Sequence, residues 1–174
     1  MILTNHVLKT FVTDSTCYGP CSVDLRLGFS FAKYDLNKNE EHPLRFVDFD
    51  NLDNLKYIEW ITEKPVMIMP GEFMLATTIE KVNCPDDVAA YVEGRSSIGR
   101  LGLQVQNAGF IDPGFKGEIT LELANQSRVP IKVIPGMRIC QVVFMMLTES
   151  SMNPYDGKYM NQSGATTSRF EGLE

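Results

Sequence analysis

A chain of 174 residues, 44% hydrophobic and 22% charged, is long enough to bury one core and has the composition of a single globular domain. Its net charge of −6, without any run of Lys or Arg, argues against DNA or RNA as a partner; a small anionic ligand needs only a few placed cations and stays open. Met1 to His6 lacks a basic head followed by an apolar run, and no apolar stretch approaches membrane-spanning length, so neither export nor a membrane partner is expected.

Gly and Pro recur at short intervals, in Gly19-Pro20, Pro70-Gly71, Pro113-Gly114 and Pro135-Gly136, with short apolar runs between them. Long helical periods are missing. That punctuation predicts an all-β sandwich or barrel with short helical turns. The four cysteines Cys17, Cys21, Cys84 and Cys140 read as free cytosolic thiols, and Cys17 and Cys21 have no second Cys or His pair, so zinc is not expected. Residues 22–27 alternate as a first strand. Residues 50–62 read as a short irregular segment around Trp60. Residues 73–79 and 88–92 form further strands. In 118–124 the apolar Ile119, Leu121 and Leu123 share one face, opposite Glu118, Thr120 and Glu122. Residues 131–134 and 139–147 follow, joined by the Pro135-Gly136 turn; the second is apolar on both faces except at Gln141 and reads as doubly buried. From Ser150 to Glu174 the chain turns polar, which fits either a frayed end or a lid over a site.

Three blocks carry candidate chemistry. In Glu93 to Gly102, two hydroxyls and two guanidinium groups follow Gly94 within six residues. A short helix over 96–101 would aim free N–H groups at a ligand and set Ser96 and Arg100 on one face, which suits phosphate oxygens; a capped helix with surface arginines reads equally well. In Asn107 to Gly117, a glycine-rich loop holds Asp112 before Pro113, a pattern that also forms plain turns. In the strand 118–124, Glu122 either faces solvent or, given apolar Ala124 on its face, is partly buried; a partly buried carboxylate can move protons near neutral pH.

Taken in order, these blocks resemble the dCTP deaminases of the trimeric dUTPase superfamily. The matched pieces are Pro20 to Gly28, Pro70 to Ala76, Arg95 to Leu103, Ile111 to Glu122, Pro135 to Gln141 and Gly157 to Gly164. The resemblance implies a distorted, jelly-roll-like β-barrel over 1–149, a tail over 150–174 that closes as a lid, and a homotrimer with sites between subunits. It implies that Arg95, Ser96, Ser97, Ile98, Gly99 and Arg100 hold a triphosphate, with magnesium bound mainly by the phosphates. Asp112 would face the deoxyribose, and Thr120, Leu121 and Glu122 the base. Gln141, Tyr155, Lys158 and Gln162 would contact nucleotide as the tail closes.

Zinc deaminases use a metal-bound hydroxide and a His/Cys signature. This chain lacks it, and His6 and His42 lie outside the matched blocks, so Glu122 would do the proton work. The family has a form that stops at dUTP and a form that continues to dUMP and pyrophosphate, supplying dUMP for thymidylate synthesis. Gly109-Phe110 before Asp112 looks like the second, with Gly109 giving the loop freedom to place a hydrolytic water or, alternatively, only supporting a turn at positive φ. Many members carry a His and an extra Thr just before this pair; here Gln106-Asn107-Ala108 is shorter by one residue. The resemblance names dCTP as substrate, dUTP as a further ligand and dTTP as a regulator. Two rivals stay open: a plain dUTPase, which would not need Glu122, and a nucleotide-sensing protein without turnover.

Overall fold

The computed structural model describes residues 1–13, 17–36, 47–49, 52, 55–105 and 109–170. His42 and Gln106-Asn107-Ala108 lie outside that set, as does the side chain of His6. The elements are α1 (Asn5–Leu8), β1 (Val23–Tyr34), β2 (Tyr57–Ile61), β3 (Val66–Ile68), β4 (Phe73–Asn83), β5 (Val88–Gly94), α2 (Ser96–Gly99), β6 (Leu103–Val105), β7 (Phe110–Ile111), β8 (Lys116–Asn125), β9 (Ile131–Val133) and β10 (Arg138–Met146).

Eight strands form one sheet in the order β6-β8-β4-β1-β10-β5-β7, with β2 added to β1, and β3 pairs with β9 in a separate ribbon. Strand β1 belongs to both halves of this curled sheet. Its first residues pair with β10, as Val23 with Val142; its last pair with β2 and β4, as Phe31 with Trp60 and with Ala76. The expected barrel-like all-β fold is therefore present, built on a strand twice as long as the alternation at 22–27 suggested.

The core follows the pleat. Val23, Leu25, Leu27 and Phe31 of β1 are fully buried with Leu121 and Leu123 of β8 and Ile139, Val142 and Phe144 of β10. Each such side chain contributes roughly 1.5–3 kcal/mol. One charge is buried with them: Glu80 is 1% exposed, and its carboxylate accepts the Arg26 backbone N–H at 2.7 Å and Nε–H at 2.6 Å. Glu80 sits where β4 shifts register against β8, between Thr77 and Lys81, and Arg26 where β1 shifts against β10, between Leu25 and Arg26.

Two expectations change. Trp60 is not in an irregular segment but on β2, where it pairs with Phe31 and stacks on it at 5.6 Å, so aromatic packing draws Tyr57–Ile61 into the sheet. Strand β10 is not buried on both sides: Val143 and Met145 are half-buried and Met146 is exposed, because in a single chain only one of its faces meets the core. No disulfide joins the four cysteines, and Cys84 and Cys140 are buried among the core residues. No helix among the described residues is long and apolar enough to cross a membrane.

Candidate functional site

The alternation of β8 that buries Ile119, Leu121 and Leu123 leaves Glu118, Thr120 and Glu122 half-buried on the other face. Thr120 and Glu122 line a cavity of about 490 Å³. Leu121 points the opposite way, fully buried in the core, so only its backbone is available to a ligand. Tyr34 of β1, Tyr57 of β2 and Phe73 of β4 add an aromatic wall, with the aliphatic Leu75 of β4 also lining the cavity. Burial, and then the neighbouring Tyr34, push the Tyr57 phenol up to about 12. Gly109, Phe110, Asp112 and Phe115 close a second side, and Tyr155, Tyr159, Gln162 and Thr166 to Ser168 of the tail cover a third. Among the described residues the lining contains two carboxylates and no Lys or Arg.

The loop that delivers Asp112 is a tight turn. The Phe115 N–H donates to the Asp112 carbonyl at 3.2 Å, with Pro113 next in sequence and Gly114 at φ +89°. Pro at the second turn position and a positive-φ Gly at the third are what a type II turn requires. The turn-former reading of Asp112 and its place in the pocket are thus both true. Behind it sits the buried Cys84, whose thiol is pushed up to about 12 by burial and then by the Asp112 charge.

Gly109 differs from expectation. It is buried, its φ lies outside the left-handed region, and its carbonyl accepts the Val92 N–H at 2.8 Å. An added Cβ would lie 2.4 Å from the Val92 carbonyl oxygen. Glycine is needed here for close approach of two backbones, neither for loop freedom nor for positive φ. Phe110, 57% exposed, stands at the rim.

The donor-rich block forms the second group. Helix α2 is a single turn in which the Arg100 N–H donates to the Ser96 carbonyl at 3.0 Å; Ile98 anchors it on the core, and Ser96, Ser97, Gly99 and Arg100 are exposed. Arg95 reaches the Asp24 carboxylate at 3.4 Å, which Arg138 also meets at 3.3 Å. Gln141 lies opposite Asp24 across the β1–β10 ladder, and its side-chain oxygen accepts the Ser22 hydroxyl at 3.4 Å. None of Arg95 to Arg100, nor Gln141, lines the cavity. The chain brings together Gly109, Phe110, Asp112, Thr120, Glu122, Tyr155 and Gln162, and keeps the cationic turn and Gln141 as a separate group.

The tail is docked. The Tyr155 N–H donates to the Pro113 carbonyl at 2.7 Å, its ring lies 5.9 Å from that of Phe115, and its hydroxyl accepts the Tyr159 N–H at 3.0 Å. Lys158 is exposed, its ammonium 6.0 Å from the Phe170 ring, and does not line the cavity. Sequence reasoning missed Tyr34 and Tyr57, which lie outside every matched piece and meet through strand pairing, and assigned no role to Phe73 or Tyr159 although both lie within matched pieces. It also missed Asp24 and Arg138, whose ion pair with Arg95 joins distant segments. Among the described residues no group of three or more His, Cys, Asp or Glu comes together as a metal cage.

Residues 4–147 match the family model described as dCTP deaminase-like. The chain is 44% identical over 178 residues to a dUMP-forming dCTP deaminase of Sulfurihydrogenibium sp., covering 97% of each. It is 51% identical over 156 residues to the dUMP-forming dCTP deaminase of Dictyoglomus turgidum, covering 86% of this chain and 79% of that one. In fold it is similar, with TM-score 0.64 and 24% identity, to the crystal structure of 2'-deoxycytidine 5'-triphosphate deaminase from Agrobacterium tumefaciens; the match covers 83% of this chain and 48% of that one. The chain belongs to the dCTP deaminase-like family.

Proposed function

We propose that this enzyme converts dCTP and two waters into dUMP, pyrophosphate and ammonia, in a site that a second copy of the chain completes within a homotrimer. The observation that carries the reading is the pairing of Asp112 with Glu122 in an otherwise uncharged, aromatic cavity beneath the tail. Similarity to the dUMP-forming relatives supports the same chemistry.

Deamination requires water to attack the ring carbon that bears the amine, and a proton to leave with ammonia. Glu122 takes the proton from water and delivers it to the base, while the aromatic wall excludes bulk water that would weaken its field. Thr120 holds the base beside it. Asp112 orients the second water in line with the α-phosphorus, and its place in a rigid turn is suited to that task. The triphosphate needs cations that the described residues of the cavity do not supply. Arg95 and Arg100, with the Ser96 and Ser97 hydroxyls and the N–H groups of α2, supply them from the neighbouring copy, and Gln141 adds a polar contact. Tyr155, Lys158 and Gln162 belong to the tail, which acts as a lid.

Magnesium fits this reading only as a companion of the substrate. Among the described residues the two cavity carboxylates make no cage, so the ion would be held by phosphate oxygens, where it would neutralise phosphate charge. Four cysteines without a disulfide accord with a cytoplasmic enzyme. Chromatography of the products from dCTP and magnesium tests the proposal. The expected result is dUMP with equal pyrophosphate and ammonia. Stoichiometric dUTP without pyrophosphate would limit the enzyme to deamination, and hydrolysis of dUTP with dCTP untouched would make it a plain dUTPase.

A further inference from the structure

The tail crosses the barrel along a row of side-chain acceptors. Three consecutive amides each donate to a different barrel residue: Gly164 to Glu118 Oε2 at 2.7 Å, Ala165 to Ser30 Oγ at 3.0 Å and Thr166 to Thr120 Oγ1 at 3.2 Å. Glu118 does more than its neighbours. Its Oε1 accepts the Ser163 hydroxyl at 3.1 Å and its carbonyl accepts Gln162 Nε2 at 2.8 Å. Its own N–H donates to the Gln162 carbonyl at 3.1 Å, and Thr77 Oγ1 braces the carboxylate at 3.3 Å. Ala165 is buried as a result, and the next residues, Thr166 to Ser168, line the cavity. Glu118 itself does not.

An added β-strand is held backbone to backbone and can slip by two residues without losing its pairing. Here the tail amides are held by three unlike side chains on β8 and β1, so a slip of the tail loses partners of fixed position. A carboxylate at the first position gives the row its strongest member, because hydrogen bonds to a charged acceptor are about twice as strong as neutral ones. We propose that Glu118, with Ser30 and Thr120, is a clasp that fixes the register of the tail, and that Glu118 is thereby a positioning residue for nucleotide although it never touches it. The proposal rests on the tail acting as the lid of the site.

The test is Glu118→Ala in the full-length protein, with Glu118→Gln as the conservative variant, since a Gln side-chain oxygen can still accept the Gly164 N–H. Hydrogen exchange over Gly164 to Thr166 is read in both, alongside KM and kcat for dCTP. Losing a charge-assisted bond should speed exchange of these amides about tenfold and raise KM by about the same factor, with kcat changed about threefold or less. Glu118→Gln should recover most of both effects. Ser30→Ala, which removes a neutral acceptor elsewhere in the row, should move both readouts in the same direction by a smaller factor. Unchanged tail protection in Glu118→Ala would overturn the clasp, as would a released tail with unchanged KM. Loss of the lid reading shows differently: a protein ending at residue 149 would keep full turnover.

Discussion

The cavity and the α2 turn of one chain are chemical opposites. The cavity is walled by Tyr34, Tyr57, Phe73 and Phe115, holds Asp112 and Glu122, and has no cation among the described residues of its lining. The α2 turn is exposed and offers Arg100 and two serine hydroxyls, with the half-buried Arg95 at its start beside Asp24 and no acidic residue in its first turn. A nucleoside triphosphate has the same division, an aromatic base and sugar at one end and concentrated negative charge at the other. Neither region alone matches it, which is the physical reason to expect two copies at each site.

The largest effect should come from the cavity. Glu122→Gln keeps size and removes basicity, so ammonia release from dCTP should fall by about 100-fold or more while nucleotide still binds. Near-normal release would take the proton work away from Glu122 and favour a binding role for the whole cavity.

Removing the cover should cost nearly as much. Deletion from Ser150 onward takes away Tyr155, Tyr159, Gln162 and the 166–168 wall but leaves every core strand in place. Folded, assembled protein with turnover reduced about 100-fold is expected, the scale of a mispositioned substrate. Full turnover by the shortened protein would make the docked tail a structural flap.

The α2 turn should show its effect through charge. Arg100→Ala should weaken dCTP binding about tenfold or more, the range for one lost charge-assisted contact, and leave deoxycytidine binding unchanged. Equal losses for both ligands would assign Arg100 a structural role. The division between regions sharpens further by mixing. Arg100→Ala and Glu122→Gln copies co-assembled at equal amounts should regain activity at roughly a quarter of sites, those that draw an intact residue from each neighbour. No recovery would place both groups in one copy.

How much of this was legible in sequence depends on range. The β8 pleat was read correctly from alternation, down to which face holds Glu122, because a strand with one buried face writes its period into the chain. The short strands β3, β6 and β7 were missed, since two or three residues carry no period and form only because a neighbour offers its edge. The same holds for the aromatic wall: Tyr34 and Tyr57 face each other through the β1–β2 register, and Phe73 joins them from β4, which no linear spacing announces. Gly109 was identified but for the wrong cause. Its reason is the Val92 carbonyl of another strand, invisible until the two are paired.

The smallest effect concerns what lies behind the cavity. Cys84 is fully buried against the Asp112 turn, and its thiol is raised from an ordinary 9.0 to about 12, by burial first and by Asp112 second. At pH 7 the thiol is protonated in both folded and unfolded chains and contributes nothing to the pH dependence. Between about 9 and about 12 the unfolded chain gives up this proton while the folded chain keeps it, so stability falls as pH rises. One pH unit above 9.0 corresponds to about 1.4 kcal/mol lost through this group. Cys140, also raised by burial, acts in the same direction, so the wild-type slope carries both thiols. Denaturant unfolding at pH 8 and pH 10 should show Cys84→Ala losing about 1 kcal/mol less than wild type over this interval, whatever the variant's stability at pH 8. An equal slope in both proteins would mean that water reaches the thiol, and the packing between the Asp112 turn and the core would then be looser than the close approach of the tail to Gly114 implies.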